Sequence, residues 1–105
     1  MYRQGDVLII PVARGELPAC APLPGDRRGR MVLARGEATG HAHVVGGPGV
    51  QLLADLDDPE RMFLEVPANG RVSHEEHGPI ALPGGHYRVV RQREYIPGAF
   101  RPVAD

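Results

Sequence analysis

Arg61-Met62-Phe63-Leu64-Glu65-Val66-Pro67-Ala68-Asn69-Gly70-Arg71-Val72-Ser73-His74 is the stretch on which the fold turns. Two apolar runs flank Asn69-Gly70, and an Asn-Gly pair in that setting signals a hairpin, since both residues tolerate the positive φ of a type I′ turn. The pattern recurs downstream, where Pro79 to Leu82 and His86 to Val90 flank the turn signal Pro83-Gly84-Gly85. The sequence therefore predicts two consecutive hairpins, with His74 at a strand end.

Working outward, Val7-Leu8-Ile9-Ile10-Pro11-Val12 follows the turn signal Gly5-Asp6 and is β-branched, apolar and too short for a helix. Pro11 restricts it to an edge or a bulge at that point. Met31-Val32-Leu33-Ala34 and Val50-Gln51-Leu52-Leu53-Ala54 read as further short strands, and the strand at His86 can run on through Arg91, Arg93 and Tyr95. Residues 13–30 are rich in Pro, Gly and charge and predict a long flexible loop; residues 102–105 read as a tail. Asp55-Leu56-Asp57-Asp58-Pro59-Glu60 lacks the glycine and distal Glu of a calcium loop and reads as an acidic turn. Seven or eight short strands and no amphipathic helix make an all-β domain, a small barrel or sandwich spanning 1–105.

All five histidines fall between Gly36 and His86. His41 and His43 form a His-x-His pair, which on a strand puts two imidazoles on one face about 7 Å apart. Neutral imidazole is the commonest protein ligand for divalent transition metals, and two on one face begin a chelate. His74-Glu75-Glu76-His77 offers the rest: His74 with Glu76 if extended, His74 with His77 if turned. The expected metal ligands are His41 and His43, with His74 or His77 as the third and His86 as a fourth ligand or a group supporting one, around Zn, Fe, Ni or Mn. Glu75 or Glu76 is the expected general base or carboxylate ligand. The competing expectation is a non-catalytic binding or assembly module with surface histidines, in which the 13–30 loop docks a partner.

The 105 residues suffice for one hydrophobic core without staples, and the net charge of −1 gives nucleic acid no electrostatic footprint. All twelve basic residues are Arg, a bias that reads as a GC-rich bacterial genome. The single Cys20 can make no internal disulfide and reads as an incidental thiol. With no signal peptide at the start and no apolar run of about 20 residues, the expectation is a cytoplasmic protein outside the membrane, with a small-molecule or protein partner and possible self-association.

Two motifs carry a resemblance. Gly36 to His43 resembles the Gly-rich entry to His-x-His of the cupins, and Leu82-Pro83-Gly84-Gly85-His86 resembles their Pro-x-Gly turn leading to another ligand. The resemblance implies a small β-barrel in which His41, His43 and His86 hold a divalent metal. Val44-Val45-Gly46-Gly47 stands where the cupin glutamate should follow, which hands the acidic role to Glu37, Glu75 or Glu76. The opening, Gly5 to Val12 before a Gly-rich loop, also resembles the chaperonin-10 barrel with its mobile loop, and the whole is similar to small bacterial or phage proteins of no assigned activity.

Overall fold

The computed structural model describes residues 1–35 and 41–92. Eight strands follow in order: β1 (Tyr2–Gln4), β2 (Val7–Val12), β3 (Cys20–Pro22), β4 (Met31–Arg35), β5 (Ala42–Gly46), β6 (Gln51–Asp55), β7 (Met62–Ser73) and β8 (Ile80–Arg91). All pairings are antiparallel in one sheet of order β1-β2-β8-β7-β5-β4, with β6 on the outer flank of β7 and β3 beyond it. The all-β expectation is met, and among the described residues the strands are not closed by hydrogen bonds into a barrel. Among the described residues no helix is long and apolar enough to cross a membrane.

The two predicted hairpins are not there. Pro67-Ala68-Asn69-Gly70 lies inside the single strand β7, and Pro83-Gly84-Gly85 lies inside β8. Neither Asn69 nor Gly70 takes the positive φ that a type I′ turn requires. Instead the β7–β8 register shifts between Val66 and Asn69, where Val66 faces Gly85 and Asn69 faces Pro83. The breaker residues therefore make a double-sided bulge that bends both strands. Gly84 is needed there, because a Cβ would stand 3.0 Å from the Pro67 carbonyl oxygen. The Tyr87 hydroxyl donates to the Pro83 carbonyl and braces the bend.

The bend divides the sheet into two leaves. The first half of β7 pairs with β6, and the second half pairs with β5. The second half of β8 pairs with β2. Between the leaves lies the core, with Val7 and Ile9 of β2, Leu33 of β4, Val45 of β5, Leu64, Val66 and Val72 of β7, and Leu82 and Tyr87 of β8. The true hairpin is β7–β8 itself, with Val72 opposite Ile80 and the His74–Pro79 segment as its loop.

Elsewhere the local signals behave as expected. Gly5 and Asp6 form the two-residue turn between β1 and β2, with Gly5 at φ +60°, the position at which a type II′ hairpin takes glycine. Pro11 sits where β2 has run past the end of β1, so no ladder donor is lost on that side. The 13–30 segment carries more structure than the sequence predicts: a 3-10 turn at Arg14–Glu16, strand β3, and a closed turn at Asp26–Arg30. Cys20 lies in β3 opposite Asp55, and burial followed by that carboxylate pushes its thiol pKa up, consistent with an unreactive sulfur. Glu37, the continuation through Arg93 and Tyr95, and the 102–105 tail lie outside the described residues.

Candidate functional site

Four segments meet at one end of the two leaves: the β1–β2 turn with Gln4 and Asp6, the start of β5 with His41 and His43, the β7–β8 loop with His74 to His77, and Arg91 at the end of β8. Gln4 ties them together. Its side-chain amide nitrogen donates to the carbonyls of Val72 (3.1 Å) and Gly78 (2.9 Å) at the two sides of the loop. Both amide hydrogens are thereby used, which fixes Oε1 toward His43 Nδ1 at 2.9 Å. An amide oxygen only accepts, so His43 carries its proton on Nδ1 and presents a lone pair at Nε2.

His43 is 1% exposed. Burial first, then the neighbouring His74, pushes its pKa down to about 4, against an opposing pull from Asp6. The ring is thus neutral at physiological pH, and its 3.8 Å approach to Asp6 Oδ1 is a contact between a lone-pair nitrogen and a carboxylate. Asp6 is anchored from the other side, where Arg91 Nε and Nη2 both donate to Oδ2 at 3.1 and 2.7 Å.

His43 makes the fold acid-sensitive. An unfolded His titrates near 6.5, so between that pH and about 4 the unfolded chain binds the proton that the folded chain refuses. The stabilisation is complete above the unfolded pKa and falls away as pH drops through that window. We expect the unfolding free energy from urea titration to fall by on the order of 2 kcal/mol between pH 7 and pH 5, a range in which exposed carboxylates change little. A flat profile there would show that His43 is not buried in its neutral form.

The loop builds the rest of the site. His74 Nδ1 accepts the backbone N–H of Glu76 (3.0 Å) and of His77 (3.3 Å), so the histidine folds its own turn. The Glu75 carboxylate accepts the Ala42 N–H at 3.0 and 3.3 Å, clamping the start of β5 to the loop, and that N–H lowers its pKa. Glu76 Oε1 lies 3.0 Å from His41 Nδ1. Both candidate carboxylates thus orient the chain or an imidazole.

The rings gather around His74, whose centroid lies 5.5 Å from His41, 4.3 Å from His43 and 4.6 Å from His77; His43 and His77 are 6.1 Å apart. One donor atom each from His41, His74 and Glu75 lie within 4.8 Å of one another. The Nε2 atoms of His43, His74 and His77 are buried and have no hydrogen-bond partner among the described residues. Gly5 permits this crowding, because a Cβ there would stand 2.8 Å from His77 Nε2 and 3.3 Å from His43 Cε1.

His86 stands apart. It faces Glu65 across the β7–β8 ladder, with Nε2 3.4 Å from Oε2, and is five residues from Arg91, about 17 Å of strand. The fold therefore does not assemble the trio His41, His43 and His86 that the cupin motifs imply; it sets His74 and His77 beside the His-x-His pair instead. Sequence reasoning missed Gln4, Asp6 and Arg91. The available signal was Gln4-Gly5-Asp6, three polar or turn residues directly before the most apolar strand.

A family model, described as a domain of unknown function (DUF8820), matches residues 3–92. The chain belongs to the DUF8820 family. Its matched span reaches from β1 through the end of β8, so the DUF8820 domain includes every described residue of the histidine site. No curated protein and no solved structure matches it.

Proposed function

We propose that this DUF8820 protein binds a divalent transition metal at the His41, His43, His74 and His77 cluster. The observation that carries the reading is the tautomer of His43: a buried Nε2 lone pair, enforced by a Gln4 amide that two backbone carbonyls hold in place. Metal-ligating histidines characteristically donate their second N–H to an oxygen in this way. Leaving a buried nitrogen unpaired costs about 1–3 kcal/mol, and His43, His74 and His77 each carry one.

The ring spacing supports the same reading. Three imidazoles bound tetrahedrally through nitrogen have ring centres about 5 Å apart, given metal–nitrogen bonds of about 2.1 Å. The centroid separations of 4.3 to 6.1 Å bracket that value. An imidazole-rich set with a carboxylate beside it suits Zn, Fe or Ni better than Mn. His74 has to turn to take part, because its Nδ1 now accepts two amides and its proton sits at Nε2. Metal capture is thereby coupled to rearrangement of the loop.

Bound there, the ion would supply Lewis acidity and an activated water. Glu76, exposed and paired with His41, is the group placed to exchange a proton with solvent. Burial of His43 counts against the alternative in which all the histidines are surface residues. The test is metal content of the full chain purified without a His-tag and exposed in turn to Zn²⁺, Fe²⁺, Ni²⁺ and Mn²⁺. We expect about one equivalent retained after dialysis for at least one ion, with cobalt giving visible absorption bands of a four- or five-coordinate site. A chain that retains none overturns the reading.

A further inference from the structure

The histidine cluster opens onto a strongly basic wall that its own chemistry does not use. The segment before β4 closes on Asp26: Oδ1 accepts the backbone N–H groups of Arg28 and Arg30, each at 2.9 Å, and Oδ2 takes Arg30 Nε at 2.9 Å and Arg35 Nη2 at 3.3 Å. A second ring of bonds, Asp26 N–H to the Arg30 carbonyl and Gly29 N–H to the Asp26 carbonyl, both 2.8 Å, braces the same turn. The turn therefore presents its arginines from a cross-linked backbone.

Two grooves meet at this turn. One, of about 520 Å³, is lined by Arg27, Arg28, Arg30 and Arg35 with Asp26 and Glu75. The other, of about 300 Å³, runs from Arg30 past Ala42 and Ser73 to His74 and Glu75. Arg30 and Glu75 line both, so the two form one path from the arginines to the central imidazole of the cluster. Four guanidinium groups against two carboxylates leave this path cationic, in a chain whose net charge is −1.

We infer that the site takes a small phosphate-bearing molecule, its phosphate held by the arginines of the 27–35 segment and its remainder directed along the groove to the metal at His74. The inference rests on the metal reading above. Guanidinium forks match the oxygens of a tetrahedral phosphate and bind it through paired charge-assisted hydrogen bonds. A groove of this volume suits a small molecule, and the balanced overall charge argues against a nucleic-acid backbone as the occupant.

The test titrates methylphosphonate, an unreactive phosphate stand-in, into the cobalt-loaded full chain at constant ionic strength, followed by calorimetry and by the cobalt absorption bands. Saturable binding is expected, weakened roughly tenfold in Arg27→Gln/Arg28→Gln, a pair whose exposed side chains can change while the Asp26 turn keeps its backbone bonds. Cobalt affinity should stay the same in that variant. A chain that holds cobalt but ignores methylphosphonate, or binds it equally well in the double variant, overturns this inference alone. A chain that fails to hold cobalt overturns the metal reading and this inference with it. Tighter, arginine-dependent binding of a single-stranded oligonucleotide would overturn the assignment to a small molecule.

Discussion

His74→Ala should lose metal affinity by roughly 100-fold or more, whereas His86→Ala should bind metal like the parent chain. His74 is the only ring in contact with all three of the others among the described residues, so its loss removes the common member of every ligand set the cluster can form. His86, opposite Glu65 on the far part of β8, contributes nothing to that geometry. The His74 ring also folds the loop by accepting the Glu76 and His77 amides, but those amides lie in an exposed segment where water can replace it. The fold should therefore survive, with a far-ultraviolet circular dichroism spectrum like that of the parent. Competition against a chelator of known affinity measures both variants on one scale. Equal metal affinity in parent and His74→Ala would sink the cluster as a metal site.

Asp6→Ala should be the most destabilising single change near the site, by about 3–5 kcal/mol, the cost typical of breaking a buried ion pair from one side. The Asp6 side chain is fully buried and the Arg91 side chain is 17% exposed, so removing the carboxylate leaves a guanidinium poorly reached by water. Against a typical total of about 5–15 kcal/mol, that loss unfolds a substantial share of molecules at moderate temperature. Urea unfolding at neutral pH measures it. Adding Arg91→Met to Asp6→Ala should recover part of the deficit, since the stranded charge is then gone. If the double variant is no more stable than Asp6→Ala, the ion pair is not the source of the loss.

The strand content of this DUF8820 domain was legible because its apolar runs are short and β-branched: Val7–Val12 and Met31–Ala34 became β2 and β4 as read. The connections were misjudged for one reason. Asn69-Gly70 and Pro83-Gly84-Gly85 are turn residues by local preference, yet here they sit opposite each other and bend two long strands together. Local sequence reports that the backbone departs from a regular strand; only the pairing partner decides whether it reverses or bulges. The histidine site was half legible. His41, just before β5, and His43, within it, both reach His74, and the turned alternative for His74 and His77 is the one adopted. Gln4, Asp6 and Arg91 were invisible because their roles depend on contacts across 39 to 85 residues of chain, which no spacing rule encodes.

Those long separations have a consequence for biosynthesis. Gln4 cannot bridge Val72 and Gly78, nor Asp6 engage Arg91, until the ribosome has released nearly the whole domain. A nascent chain stopped before β8 holds most of the imidazoles but lacks Arg91, the group that anchors Asp6 beside His43. The buried network beneath the histidines therefore closes only once the end of the domain has been made.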